Sequence, residues 1–311
     1  MKGKRNGEWA FLDWLRSRWS SPNRAVLVGP GDDCAVLRSP RSEKIIVTTD
    51  MLCEGTHFRL AELGPRLVGR KAIAVNLSDI AAMGGEPVAA FLCVAFPRGT
   101  RMKLARELYL AMESMAGSHG CAIAGGDVVS HDAGLVISVC MTGRALKRVV
   151  PRSGAKPGDA VFVTGALGGS IEGKHARFTP RLDEGRALAV KFAARSMIDV
   201  SDGLSSDLGH IADESKAAIE IEERLIPISA AARRLSRRDG ASPLAHALSD
   251  GEDYELAFTL SASKARYLVA RWPFKTSITR IGRVREGRDT WIIQRDGKMR
   301  RLERTGYEHL R

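Results

Sequence analysis

The sequence predicts an α+β protein made of two α/β domains. We expect their sheets to be antiparallel or mixed. Its 311 residues are about twice the usual length of a domain, roughly 150 residues. A basic stretch at 144–159 that contains prolines and glycines divides the chain into two halves. Strand and helix patterns are mixed in both halves without the strict alternation of a doubly wound fold. We therefore expect an N-terminal domain at 1–148 and a C-terminal domain at 149–311.

In the N-terminal half, apolar residues at helical spacing predict helices, and β-branched or apolar runs predict strands. Residues 26–37 predict two extended segments joined by a glycine-rich turn. The apolar run at 88–96 predicts a buried strand, and the strand that begins at 121 is expected to end before Gly125. The predicted helices are 8–19, 67–83 and 101–118, and the further strands are 44–49, 88–96, 121–124 and 135–143.

The C-terminal half repeats this mixture with shorter helices. No repeat of fixed period and no low-complexity segment occurs in it. The predicted helices are 183–194, 205–215, 229–238 and 262–272, and the predicted strands are 160–164, 218–222, 255–260, 277–284 and 291–294.

Composition and charge indicate a globular protein that binds anionic partners. The chain is globular in composition, with 44% apolar and 27% charged residues and a net charge of +12. A basic protein favours anionic partners, among them nucleic acid, membrane surfaces and phosphorylated small molecules. Five widely spaced cysteines without a C-x-x-C pair argue against a disulfide framework or a zinc site, and indicate a reducing cytoplasm. No signal peptide or membrane span is predicted.

Aspartates placed directly after apolar strands, or inside apolar helices, are the most informative feature. A buried carboxylate is costly unless it is paired or bound to a cation, so several of them together predict a metal cluster. Each one alone could equally be a helix cap or a turn former. Ligands that are all oxygen, with threonine and serine hydroxyls nearby, suit Mg²⁺. The aspartates in such positions are Asp50, Asp79, Asp127, Asp199 and Asp202, and two more, Asp32 and Asp33, close a Gly-Pro-Gly turn.

A glycine-rich segment at 168–174 imitates a phosphate-binding loop. It matches G-x-x-x-x-G-K after a predicted strand. However, His175 stands where that motif needs a serine or threonine hydroxyl to bind Mg²⁺. We therefore predict a glycine-rich turn that leads into a helix.

These segments resemble the thiamine-monophosphate kinase family, of the superfamily that includes aminoimidazole ribonucleotide synthetase and selenophosphate synthetase. The resemblance covers nearly the whole chain, and the motifs occur in the family's order. They are GDDCAVL at 31–37, TTDMLCEGTHF at 48–58, KAIAVNLSDIAAMG at 71–84, GGD at 125–127, RSGAKPGD at 152–159, IDVSDGL at 198–204, GEDYEL at 251–256 and GYEH at 306–309.

The resemblance implies an N-terminal domain that dimerises through its sheet and a C-terminal α/β domain of the aminoimidazole ribonucleotide synthetase-like type. It implies phosphorylation of thiamine monophosphate by ATP with several Mg²⁺ ions, in a homodimer. The implied metal ligands are Asp33, Thr48, Thr49, Asp50, Asp79, Asp127, Asp199 and Asp202, of which Asp50, Asp79, Asp127 and Asp202 are catalytic. The implied ATP contacts are Tyr109, Gly126, Asp127, Arg152 and Ser201, and the implied substrate contacts are His57, Glu252 and Tyr307.

The sequence departs from the family pattern at Val128, where threonine is usual, at Asp250, where glycine is usual, and at Leu310, where phenylalanine is common. Two alternatives stay open. One is another ATP-dependent enzyme of the superfamily, although no cysteine precedes Cys34 as a selenophosphate synthetase would require. The other is nonspecific nucleic-acid binding by the arginines at 233–238, for which a solvated helix face is the simpler explanation.

Overall fold

The computed structural model describes residues 26–28, 32–39 and 44–307. Within them the chain forms two mixed sheets with helices packed against them, which confirms the predicted fold class. The predicted helix at 8–19 and Leu310 lie outside the described residues. No helix in the described part of the chain has the length and apolar character that crossing a membrane would need.

The first sheet has six strands in the order β1-β2-β3-β6-β4-β5. All neighbouring pairs are antiparallel except β4 and β5, which are parallel. The strand order places β5 at an edge of the sheet. Two helices, α1 and α2, pack against each other beside it. The elements are β1 (Val26–Val28), β2 (Ala35–Arg38), β3 (Lys44–Cys53), α1 (Leu60–Ala82), β4 (Glu86–Pro97), α2 (Met102–Ser118), β5 (Ala122–His131) and β6 (Val136–Arg144).

Two expectations for this sheet were wrong. The predicted buried strand β4 alternates between buried and exposed residues, with Phe91 and Cys93 exposed, because only one of its faces packs on helices. The strand that was expected to end before Gly125 continues as β5 to His131. Parallel pairing with β4 carries it through the glycines, with an irregularity of register just before Gly125.

Helix α1 is the central buried helix of the N-terminal half. It begins seven residues earlier than predicted, but Gly64 adopts a left-handed φ of 73° and breaks the regular helix there. Pro65 then lies where a regular helix can start without a backbone N–H donor. From there the helix continues without interruption to Ala82, and most of its residues are buried.

The second sheet has seven strands in the order β13-β12-β9-β11-β7-β10-β8, of which only β9 and β12 pair in parallel. Its strands are β7 (Ala160–Thr164), β8 (Ser196–Asp199), β9 (Ala218–Glu222), β10 (Leu256–Leu260), β11 (Ile278–Arg285), β12 (Thr290–Ile293) and β13 (Met299–Arg301). Its helices are α3 (Lys174–Arg177), α4 (Leu182–Ala187), α5 (Leu204–Ser215), α6 (Ala230–Asp239), α7 (Pro243–Ser249) and α8 (Ala262–Arg271).

The predicted helix at 183–194 is shorter and less regular than expected. Helix α4 ends at Ala187, and a single π-helical turn, Leu188–Phe192, follows it. Ala193 then ends the segment with a left-handed φ of 59°. Strands β8 and β13 and helix α7 were not predicted.

The two halves share packed surfaces. Phe178 and Tyr254, from the C-terminal half, stack with ring centroids 4.0 Å apart inside the core of the first sheet. Helix α4 packs on α1 so closely that a Cβ on Gly185 would lie 2.1 Å from the carbonyl oxygen of Ala81. The first sheet lies within 26–144 and the second within 160–301, while the domain boundary at 148 stays a prediction.

Candidate active site

Three carboxylates meet where the two halves face each other. Asp33 precedes β2, Asp79 lies in the last turns of α1, and Asp199 is the last residue of β8. One oxygen of each lies within 4.8 Å of the others. Three of the aspartates that the sequence predicted as a cluster therefore come from distant segments to one place.

Neighbouring side chains hold these carboxylates in position. The Thr48 hydroxyl donates a hydrogen bond to Asp79, and the Ser78 hydroxyl donates one to Asp199 at 2.6 Å. Arg152 donates from Nε and Nη2 to the two oxygens of Asp33, at 3.2 and 3.0 Å. Arg152, one of the predicted ATP contacts, thus forms a two-pronged contact beside the cluster.

The positive charge near the three carboxylates is too small to balance their negative charge. Burial, and then the neighbouring carboxylates, raise the pKa values of Asp79 and Asp199 well above the ordinary value. Burial, followed by repulsion from Asp33 and Asp202, raises the pKa of Asp50 to about 6. Crowded carboxylates of this kind are ionised together only when a cation joins them. Their oxygen-only ligand set fits Mg²⁺.

A cavity of about 380 Å³ opens beside the cluster. Most of the predicted site residues line it, and Tyr254, Asp250 and Val75 contribute to its wall. The predicted residues that line it are Thr49, Asp50, His57, Asp79, Asp199, Ser201, Asp202, Glu252 and Tyr307. Asp33, Thr48 and Arg152 bond to one another or to Asp79 beside it.

The cavity wall around Glu252 is built from strained backbone. Glu252 and Tyr254 both have left-handed φ angles, 51° and 50°, which are uncommon for residues with a Cβ. Backbone hydrogen bonds compensate: the Glu252 N–H donates to the Ser201 carbonyl at 2.6 Å and the Tyr254 N–H to the Val200 carbonyl at 2.8 Å. The loop that carries Glu252 is therefore tied to the segment that carries Ser201 and Asp202.

Lys71 is a residue of this site that the sequence analysis missed. It lies on α1 and is fully buried, and its Nζ donates to Glu252 Oε1 at 2.5 Å and to the His57 carbonyl at 2.7 Å. The Cys53 N–H donates to His57 Nδ1 at 3.0 Å, so the proton of a neutral His57 ring is on Nε2. The available signal was a lysine directly before the apolar run Ala72–Val75 of the helix.

The glycine-rich segment at 168–174 binds the acidic loop of the protein itself. The Gly168 N–H donates to Asp253 at 2.7 Å, the Gly169 N–H to Asp250 at 2.6 Å, and the Ser170 hydroxyl to the Gly251 carbonyl at 2.7 Å. It is thus a glycine-rich turn, as predicted, and its donors face carboxylates of the chain. The unusual Asp250 is one of these carboxylates, so its charge has a partner.

Asp207 is a second residue that sequence reasoning missed. It is fully buried at the start of α5, where one oxygen accepts a hydrogen bond from the Gly203 N–H at 3.1 Å. Ligand atoms of Asp202, Asp207 and His210 lie within 4.8 Å of one another. Burial and repulsion from Asp202 raise the pKa of Asp207 well above its ordinary value.

Three predicted residues lie elsewhere. Tyr109, Gly126 and Asp127 line a separate groove of about 1090 Å³ between α2 and strands β4 and β5. Strands β6 and β4 separate β5 from β3, which carries Asp50. In a single chain, the structure therefore does not bring Asp127 to the carboxylate cluster, and the roles given to these three residues remain predictions.

Comparison with known proteins agrees with this geometry. The family model for the AIR synthase related protein, N-terminal domain, matches residues 31–145. A thiamine-monophosphate kinase of Rhodopirellula baltica is 37% identical over 309 residues and covers 97% of each chain.

Solved structures show the same fold. AaThiL complexed with AMPPCP and TMP superposes with a TM-score of 0.84 at 31% identity, over 99% of each chain. The hydrogenase maturation protein HypE in complex with ATP has a TM-score of 0.72 at 19% identity, covers 99% of this chain and 97% of its own, and shows the fold alone. Because a thiamine-monophosphate kinase matches it at 37% identity over nearly the whole of both chains, this chain belongs to the thiamine-monophosphate kinase family.

Proposed function

We propose that this chain transfers the terminal phosphoryl group of ATP to thiamine monophosphate, which yields thiamine diphosphate and ADP. One observation carries the proposal: a single cavity has a buried carboxylate cluster at one part of its wall and the Glu252 loop at another. The relatives named thiamine-monophosphate kinase and the complex with AMPPCP and TMP support the same assignment.

The acceptor needs no dedicated base. The second pKa of a phosphate monoester is about 6, so its attacking oxygen is mostly ionised at neutral pH. The difficulty is to bring two polyanions together, and phosphoryl transfer depends mainly on positioning and charge neutralisation. Arg152 lies beside Asp33 with a side chain that is 18% exposed, close enough to the cluster to contact a phosphate bound there.

We propose that Asp33, Asp50, Asp79, Asp199 and Asp202 hold Mg²⁺, with Thr48 and Thr49 close by. Bound Mg²⁺ would supply positive charge to the transferred and bridging phosphate oxygens. The chain's own contribution is to fix the carboxylates. The Ser78 and Thr48 hydroxyls orient two of them, which leaves their other oxygens for the cation.

At the other part of the wall, Glu252, His57 and Tyr307 would hold the thiamine rings. A carboxylate suits the ring amino group and the thiazolium charge, and an aromatic side chain suits stacking on a flat cation. Ser201 lies next to Asp202 and stays a predicted ATP contact. Tyr109, Gly126 and Asp127 are proposed as ATP contacts, and Asp127 also as a metal ligand, from the family resemblance.

We also propose a homodimer in the cytoplasm. The edge strand β5 leaves large apolar side chains in solvent, with Val128 and Val129 68% and 52% exposed. An exposed apolar edge strand is normally covered by a partner. The proposed compartment rests on the five widely spaced cysteines, which are free thiols in the structure. The unusual Val128 thus adds to an apolar surface.

A coupled ADP-release assay with ATP and Mg²⁺ tests the function. Thiamine monophosphate, free thiamine and an aminoimidazole ribonucleotide precursor are offered in parallel. We expect turnover with thiamine monophosphate only, and its loss when EDTA removes the metal. Turnover on free thiamine or on the precursor in place of thiamine monophosphate would overturn the assignment and favour another enzyme of the superfamily.

A further inference from the structure

The buried lysine on α1 connects the two halves of the chain at the cavity. Lys71 has no exposed surface, and its ammonium group donates to Glu252 of the C-terminal half and to the His57 carbonyl of the N-terminal half. Both of these residues line the cavity. A single cation therefore sets the relative position of two residues proposed to contact the thiamine rings.

A lysine is a costly choice at this position. Burying a charge requires compensation, and an apolar residue of similar volume is often at least as stable there. The Glu252 side chain, in contrast, is 27% exposed, so the pair lies at the boundary between core and cavity. This favours a role in the cavity over one in the core alone.

The two carboxylate oxygens of Glu252 differ in their hydrogen bonds. Oε1 accepts from Lys71 Nζ and, at 3.3 Å, from the Tyr254 hydroxyl. Among the described residues, no hydrogen bond reaches Oε2. With Oε1 fixed from behind, the carboxylate can rotate little, and Oε2 is left for a donor in the cavity.

We propose that Lys71 is a positioning residue for thiamine recognition, which orients the Glu252 carboxylate toward the substrate's ring amino group. The inference rests on the proposed function. It assigns Lys71 no contact with ATP, metal or the reacting phosphate. Loss of its ammonium group should therefore weaken binding of the acceptor and leave binding of ATP nearly unchanged.

A double-mutant cycle tests this proposal, with Lys71→Met, Glu252→Gln and the double variant. Steady-state kinetics measure KM for thiamine monophosphate and for ATP, and circular dichroism checks folding. We expect each single variant to raise KM for thiamine monophosphate by about tenfold or more, since each removes a charged hydrogen bond. The effect of the double variant should be far smaller than the product of the two single effects, because Lys71 acts chiefly through Glu252.

Arg195→Met is the matched control. Arg195 Nη1 also pairs with a buried carboxylate, Asp159, at 2.6 Å, but it lies at the other end of β8 from Asp199. It should change neither KM value by more than about twofold. If Lys71→Met does not fold, Lys71→Gln, which keeps an N–H donor without the charge, replaces it in the cycle.

The results distinguish failure of the positioning role from failure of the proposed function. Independent, multiplying effects of the two substitutions, or an equal rise in KM for ATP, would overturn the positioning role while the proposed function stands. Absence of turnover on thiamine monophosphate in the wild-type protein would overturn the proposed function, and this inference with it.

Discussion

Replacing Asp79 with asparagine should abolish activity and yet stabilise the metal-free protein. The substitution removes one of three carboxylates whose oxygens lie within 4.8 Å of one another. Two unit charges at this separation repel each other by about 3 kcal/mol at an effective dielectric constant of 20. Asparagine keeps an oxygen that can accept the hydrogen bond from the Thr48 hydroxyl.

The stability gained by Asp79→Asn in the metal-free protein should increase with pH. Burial raises the pKa of Asp79 well above its ordinary value of 3.8, so ionisation opposes folding. This penalty is absent at a pH below the unfolded-state pKa and grows as the pH rises toward the folded-state pKa. Without Mg²⁺, Asp79→Asn should therefore raise the free energy of unfolding by about 1 to 3 kcal/mol at pH 8 and by less at pH 5.

Urea unfolding at both pH values measures the stability, and ADP release measures the activity. Turnover should fall by about a thousandfold or more, because a metal ion contributes several kcal/mol to stabilising phosphoryl charge. Asp132→Asn, at an exposed carboxylate paired with Arg98, is the control and should change stability by less than about 0.5 kcal/mol. A destabilised or fully active Asp79→Asn protein would refute the metal-cluster interpretation.

Three further predictions concern other parts of the molecule. Arg152→Lys keeps the charge but loses the two-pronged contact with Asp33, so KM for ATP should rise about tenfold in steady-state kinetics. Gly185→Ala should lower the free energy of unfolding in urea by about 2 kcal/mol, since its Cβ would meet Ala81 on α1. Val129→Glu places a charge on the exposed strand β5, and analytical ultracentrifugation should then show monomers.

Each of these three has a contradicting result. An unchanged KM for ATP in Arg152→Lys would remove Arg152 from the nucleotide site. Gly185→Ala as stable as the wild type would mean that α4 and α1 can separate at no cost. A dimer that persists in Val129→Glu would place the interface elsewhere, and Val129→Thr, which adds no charge, is the control for altered folding.

Elements with a strong local signal were predictable from the sequence. Strands β7 and β9 have the bounds that their β-branched runs predicted, and α5 differs by one residue. Strand β13 is exposed and basic, and it exists only because it pairs with β12. Helix α7 has a start signal, since Ser242 caps it and Pro243 begins it, but seven residues are too few to show a helical period.

The site was predictable in its residue types and less so in its arrangement. Asp79 and Asp199 lie within apolar runs of the sequence, which indicates burial. In the structure Asp199 is buried and Asp79 is half-buried. The separation of Asp127 from them depends on strand order, which no local pattern contains. The arginines of α6 illustrate the same limit: Arg234 and Arg238 pair with Glu172, a residue far away in sequence.

The course of α1 gives the site a fixed length. Lys71 and Asp79 lie on one uninterrupted stretch of helix, eight residues apart, which corresponds to about 12 Å along its axis. On the proposed assignment, neither the part of the cavity that would bind the rings nor the part that would bind the cation can shift toward the other, because both are anchored to this helix. On the same assignment, an acceptor one phosphate shorter would not bring its nucleophile within reach of the nucleotide, so the fixed distance along α1 would select for the phosphorylated vitamin by its length.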